Sequence, residues 1–220
     1  GQMERLELTR RQWADQVAAA ASLGHPALRR VTVAVEGNGP DDRAIRAVLL
    51  SLGCQVEDRW RPGIPAFRAS HGGFCLTAQD ERGAILDSSQ LLALVALIEM
   101  ENGSGRLAVP SGASAAVDLV AAGYDGTVLR LDRDGKPARD LYAAQPWFWS
   151  APSAAARICA RMGVSGQKLD ALISKTPRFS SWRREVPLSS DRGRVMEAMV
   201  REQGRTCGGE GLRVHTGGGW

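Results

Sequence analysis

Three short stretches carry residues whose types and order suit chemistry. Ala69-Ser70-His71 sets a hydroxyl beside an imidazole within a glycine-rich run, RASHGGF. A serine becomes a nucleophile only when a base surrounds it and, for phosphoryl transfer, a metal and phosphate donors as well; a bare tripeptide supplies none of these. Gly37-Asn38-Gly39-Pro40 precedes a candidate helix, where half of a dinucleotide fingerprint would stand, but the third glycine is missing and proline occupies the turn. The same residues suit a tight turn. Trp147-Phe148-Trp149 is an aromatic knot in a chain only 5% aromatic. It suits either a hydrophobic plug at a domain seam or a platform on which a ligand stacks.

The four cysteines, Cys54, Cys75, Cys159 and Cys207, form no C-x-x-C pair. That disfavours a zinc site and a dense disulfide framework, and a reducing cytoplasm is the simplest setting. No apolar run approaches the ~20 residues that span a bilayer, and no signal-peptide hydrophobic region opens the chain, so a membrane is not expected as a partner. The net charge is +4, with 25 arginines against 3 lysines, scattered among acids instead of gathered in a stripe. Nucleic acid is therefore not expected either. A hexose phosphate remains a candidate ligand, because single arginines bind phosphate bidentately.

These residues need elements to position them. A chain of 220 residues, 44% hydrophobic and 24% charged, is globular and long enough for two compact units or one large one. Residues 9–22 read as a helix capped by Thr9, with Trp13, Val17 and Ala20 or Ala21 on one face. Val31, Val33 and Val35 alternate as a strand does, and Asp41 or Asp42 then caps a helix bearing Ile45, Val48, Leu49 and Leu52 until Gly53 closes it. A strand at Cys54-Gln55-Val56 completes a β-α-β unit. Residues 59–73 have no period and read as an irregular connection. A hairpin around Asp80-Glu81-Arg82-Gly83 follows, then a helix capped by Asp87-Ser88-Ser89 with Leu91, Leu94, Val95 and Ile98 on one face. A strand at 107–109, a helix at 114–122 and a strand at 127–131 make a second β-α-β unit. Residues 132–151 are mixed. Helices are expected at 152–162 and 167–174, and beyond Pro177 a strand at 183–187, a helix at 191–203 and a strand at 211–216.

The order of four passages resembles the α-D-phosphohexomutase (phosphomannomutase/phosphoglucomutase) family. VTVAVEGNGPDDRAIRAVLLSLGCQV is similar to its opening of domain two, and DERGAILDSSQLLALVALIE to its entry into domain three. KLDALISKTPRFSSWRREVPLSSDRGRVMEAMV and EGLRVHTGGGW are similar to the passage into, and a strand pair of, domain four. The resemblance implies an α/β fold of tandem phosphohexomutase-type mixed α/β/α domains plus a truncated α+β C-terminal domain. Its domains would be 1–74 (domain two, shortened), 75–175 (domain three) and 176–220 (the start of domain four).

The family's reaction moves a phosphoryl group between two sugar oxygens through a phosphoserine, and needs a divalent cation and loops for the sugar hydroxyls and the resting phosphate. The family's metal loop, D-G-D-x-D-R, would fall at 68–74, where RASHGGF offers no carboxylate for Mg²⁺. Its sugar loop, G-E-x-S-G-H, would lie between Leu131 and the helix at 152, and DRDGKPARDLYAAQPWFWSAP does not match it. The phosphoserine and phosphate loops have no counterpart. No residue is therefore assigned to catalysis, to a cofactor or to a metal, although active family members require Mg²⁺.

The expectation is a non-catalytic phosphohexomutase-like module of a larger sugar-phosphate or nucleotide-sugar enzyme, with a degenerate active site. Its role would be structural, in homo-oligomerisation, or in weak binding of a hexose phosphate. Its partners would be the remaining domains of a parent polypeptide, a sugar nucleotidyltransferase among them. The alternative is a fragment of an active phosphomannomutase/phosphoglucomutase. A nucleotide-binding regulator built on β-α-β units also stays open, since fold alone does not assign chemistry.

Overall fold

In the computed structural model β1 (Thr32–Val35) is the strand on which the rest is organised. Val33, Ala34 and Val35 are all removed from solvent, so the strand is covered on both faces and not on one, as the valine alternation suggests. The structure describes residues 2–22, 24, 31–70, 72–178 and four positions between 191 and 197. The elements that position the candidate site fall within the compact unit Gly1–Phe179. The strands expected at 183–187 and 211–216, and most of the helix expected over 191–203, lie outside the described residues.

After β1 the chain enters α2 (Pro40–Ser51) with proline at the first helical turn, where its lack of an N–H costs nothing. Ile45, Val48 and Leu49 are fully buried along one face. Gly53, at φ 89°, reverses the chain in the left-handed conformation that glycine adopts without strain. β2 (Gln55–Glu57) then runs parallel to β1, with Val33 opposite Val56, completing the expected β-α-β unit.

The stretch expected to be an irregular connection contains a strand. β3 (Ala66–Ser70) pairs parallel with β1, setting Phe67 opposite Val35. It turns at Gly72 and Gly73 into β4 (Cys75–Gln79), antiparallel, with Ser70 opposite Cys75. β5 (Ile85–Leu86) pairs antiparallel with β4 and closes the expected hairpin. The result is a mixed sheet in the order β2-β1-β3-β4-β5. β3 escapes a periodicity reading because AFRAS is short, all but Phe67 is small or polar, and prolines and glycines flank it.

The first helix, α1 (Gln2–Ala21), starts before Thr9, so Thr9 is an interior residue and not a cap. Its buried seam is Ala14, Ala18 and Ala21, while Trp13 is 39% exposed. Three small residues one turn apart let α1 approach α2 and the helix Ala151–Ser165, which a tryptophan on that seam would prevent. α3 (Ser88–Glu101) begins as expected: Asp87 accepts the Gln90 N–H at 2.9 Å, and the Gln90 side chain accepts the Asp87 N–H at 3.0 Å. Residues 91–100, save the half-buried Leu92, are buried, so α3 runs through the core instead of lying on it.

β6 (Arg106–Val109), α4 (Ala116–Ala122) and β7 (Thr127–Arg130) form the second parallel unit, with Leu107 opposite Val128. The mixed segment after it resolves into α5 (Gly135–Ala144) and a 3-10 turn (Pro146–Phe148). Pro137 falls in the first turn of α5, where it is tolerated. α6 (Ala151–Ser165), capped by Ser150, packs across α1, α2 and α3, and α7 (Leu169–Ile173) follows. One contiguous core runs from Val33 through Leu94 and Leu107 to Ile158 and Leu172. Among the described residues no helix is long and apolar enough to cross a membrane.

Candidate functional site

The segment 68–74 is the end of β3, the glycine turn and Phe74, and it meets the first turns of α2 and α6. The contact with α2 is made by Asp42. One carboxylate oxygen accepts the Gly39 N–H at 3.2 Å and the other accepts the Ala69 N–H at 3.2 Å. Gly37, at φ 108°, is required beside it, because a Cβ there would stand 2.3 Å from the Asp42 carboxylate. On the far side the Gly73 carbonyl accepts the Ala151 N–H at 2.8 Å, and Asp41 Oδ1 would lie only 3.1 Å from a Cβ on Gly73. The turn is thus bound to two helices through backbone groups. Ser70 Oγ reaches the Cys75 carbonyl at 3.5 Å, and His71 lies outside the described residues. Phe74 is 68% exposed.

The Gly37-Asn38-Gly39-Pro40 turn is braced by arginines from α2. Arg43 Nη1 donates to the Asn38 carbonyl at 2.6 Å, and Arg46 Nη2 donates to the Val35 carbonyl at 3.0 Å while pairing with Asp58 at 2.9 Å. Beside it, where β1 and β2 end, Glu36, Asn38, Arg46, Asp58 and Arg59 line a polar cleft of about 560 Å³. The first helical turn carries its own acids, Asp41 and Asp42, so its N-terminus is unsuited to the pyrophosphate of a dinucleotide.

The region expected to hold a sugar loop is occupied differently. Gln145, 6% exposed, lays its side-chain amide along the outer edge of β6: Oε1 accepts the Ala108 N–H at 3.0 Å and Nε2 donates to the Arg106 carbonyl at 3.0 Å. One side chain thereby satisfies the donor and acceptor that a neighbouring strand would pair with. The aromatic knot follows directly. Phe148 is buried in the core, Trp149 Nε1 donates to the Tyr142 carbonyl at 2.9 Å, and Trp147 lies 4.3 Å from the guanidinium of Arg157. Phe148 lies in the core, Trp147 packs against it and Trp149 is tied to α5, all within the unit Gly1–Phe179.

Arg157 is itself a junction. It pairs with Glu99 at 2.6 Å and donates to the Ala20 and Ala21 carbonyls at 3.3 and 3.4 Å, joining α6 to α3 and to the C-terminal end of α1. The D-E-x-G stretch is likewise structural. Asp80 Oδ1 accepts the N–H groups of Arg82 and Ala84 at 2.9 Å each, and Glu81 caps α7 by accepting the Leu169 N–H at 2.7 Å and the Asp170 N–H at 3.0 Å. Sequence reasoning missed Glu81 and Gln145. For Glu81 a signal existed: α7 has Lys168 at its N-cap, which cannot accept a hydrogen bond, so the helix needs a carboxylate from elsewhere.

Among the described residues, no three His, Cys, Asp or Glu side chains gather as metal ligands would. Cys54 and Cys159 are both buried. The neighbouring Cys159 side chain lowers the Cys54 thiol from its ordinary value, and the Cys54 side chain together with burial pushes Cys159 well above it. Cys207 lies outside the described residues.

This arrangement of sheet, hairpin and second β-α-β unit is the phosphohexomutase fold. It superposes on a protein described as a phosphomannomutase from Thermus thermophilus with a TM-score of 0.53 at 12% identity, covering 75% of this chain and 49% of that one. A phosphoglucomutase/phosphomannomutase family protein from Burkholderia thailandensis gives a TM-score of 0.54 at 15% identity, over 75% of this chain and 46% of that one. The chain therefore spans about half the length of the solved structures it matches. No protein-family model and no curated protein matches the sequence.

Proposed function

We propose that this chain is a non-catalytic phosphohexomutase-like module of a larger sugar-phosphate or nucleotide-sugar enzyme, joined there to a sugar nucleotidyltransferase and working in a reducing cytoplasm. The observation that carries this reading is the glycine turn after β3. Mg²⁺ takes hard oxygen ligands, which the family's metal loop supplies as three carboxylates on one tight turn. Among the described residues, those of 68–74 include no carboxylate; of the two acids against the turn, Asp42 already spends both oxygens on backbone N–H groups, and Asp41 beside Gly73 has no second and third acidic ligand gathered with it. The residues present do not fit the metal. The occupation of the expected sugar-loop region by α5, Gln145 and a 3-10 turn supports the same reading. The module's work is then to hold its neighbours in place. Any hexose phosphate it retains would sit weakly in the cleft of Arg46 and Arg59.

A coupled assay on the full polypeptide tests this, with glucose 1-phosphate and mannose 1-phosphate, Mg²⁺ and a hexose bisphosphate. No turnover above background is expected. Turnover abolished by a chelator would sink the proposal in favour of an active mutase. Titrating hexose phosphates while following thermal unfolding separates binding from pure scaffolding, since a ligand at 100 times its Kd stabilises by ~2.7 kcal/mol. A shift that disappears in Arg59→Ala locates the ligand in the cleft; no shift at millimolar ligand leaves scaffolding.

A further inference from the structure

We infer that the groove between α1 and α2 is a self-association surface, filled by α1 of a second copy of this chain running antiparallel across a two-fold axis. The groove has a volume of about 800 Å³ and opens between α1 and the last turns of α2. Its walls are Leu8 and Leu50, 58% and 55% exposed, and the small side chains of Ala14 and Ala47 leave its floor low. A single exposed leucine is ordinary on a protein surface. Two that line one groove make a joined apolar surface that a partner can cover.

The charges beside the leucines identify that partner. Arg11 and Asp15 stand one turn apart on α1, both exposed and both lining the groove, yet among the described residues neither forms an ion pair, with the other or with any third group. An arginine one turn N-terminal to its acid is the less favourable order on a helix, so the two gain little by closing on each other. A basic segment laid in the groove would be repelled by Arg10 and Arg11, and an acidic one by Asp15. A reversed copy of α1 carries both signs in the opposite order. With the axis passing Trp13, midway between them, Arg11 of each copy stands opposite Asp15 of the other. The contact is made twice, as an isologous interface requires, and the same placement takes the leucine walls of both copies out of water. None of these residues belongs to the glycine turn after β3 or to the cleft of Arg46 and Arg59, so the surface is independent of whether the module retains catalysis or a hexose phosphate.

Analytical ultracentrifugation of the full polypeptide over a range of concentrations tests the surface. The natural chain is expected to dimerise. Asp15→Arg and Arg11→Asp each set like charges against one another across the axis, and each should raise the dimer Kd by about tenfold or more while leaving the circular dichroism spectrum unchanged. Mixed in equal amounts, these two variants should associate as the natural chain does, because each supplies the charge that the other has lost. The double variant Arg11→Asp with Asp15→Arg, which exchanges the signs, should also dimerise. Leu50→Asp should leave a monomer. A natural chain that stays monomeric overturns the inference, whether the groove is then open or covered by another segment of the polypeptide. So does a dimer that keeps its Kd in both single charge variants, or a mixture of the two that associates no better than either alone. Should a charge reversal unfold the chain, Arg11→Gln and Asp15→Asn replace the pair: a raised Kd in both supports the surface, and a natural Kd in both refutes it.

Discussion

The carboxylate of Asp42 accepts the backbone N–H of Ala69 across 3.2 Å, tying the first turn of α2 to the strand that leads into the glycine turn. Its other oxygen holds the Gly39 N–H, so one side chain serves as helix cap and as strand anchor. Asp42→Ala removes both acceptors and is expected to cost about 2 kcal/mol, seen as a lower urea midpoint. Asp42→Asn, which keeps one acceptor oxygen, should lose less. Gly37→Ala should approach the alanine variant, because its Cβ would displace the same carboxylate. Equal stability of all three with the natural chain would refute this role.

Glu81 is predicted to control α7. Its two oxygens are the acceptors at that helix start, and Leu169 and Leu172 anchor the helix in the core. Glu81→Ala should destabilise by about 2–3 kcal/mol and raise hydrogen exchange at Leu169 and Asp170 before it does so in the sheet. Unchanged protection at those two amides would contradict the assignment.

The Glu99–Arg157 pair is buried, with side-chain exposures of 2% and 9%. Glu99→Ala leaves the guanidinium without its counter-charge and is expected to cost about 3–5 kcal/mol. The double variant Glu99→Leu with Arg157→Met should be less damaging than the two single losses combined. A single-variant cost of less than ~1 kcal/mol would show that the pair is screened as a surface pair is.

Asp134 links stability to acid. The Arg130 N–H, and after it the Arg133 guanidinium, hold its carboxyl below the ordinary carboxylate value. Since the folded value is the lower one, the stabilisation is present above the unfolded carboxylate range and is lost as pH falls through the folded value. Asp134→Asn should therefore flatten the acid limb of a Tm-against-pH curve and leave its alkaline limb unchanged. An acid limb as steep as that of the natural chain would count against it.

Much of the fold is legible in the sequence because it is written locally. α2, with its proline, acids and Ile45-Val48-Leu49 face, and α3, with its Asp87–Gln90 cap, follow from neighbouring residues alone. β3 is not legible, since Ala66 and Phe67 become strand only by pairing with Ala34 and Val35, a partnership that no pattern within AFRAS records. α1 is legible as a helix, but its seam is not. Large apolar residues usually mark a buried face, whereas this helix needs alanines to sit close to its neighbours. At the candidate site the lack of a carboxylate in 68–74 can be read directly from RASHGGF. Which groups fill the space cannot, because Asp42, Glu81 and Gln145 act on backbone atoms far along the chain.

Gln145 has a consequence for the protein's behaviour in a crowded solution. A two-stranded parallel sheet offers open rims, and an open rim is a template on which another copy can add a strand. By giving its amide to the Arg106 carbonyl and the Ala108 N–H, Gln145 takes up two of the backbone groups that a would-be invader needs at that rim. Growth of the sheet from molecule to molecule is opposed on the β6 side by a single side chain.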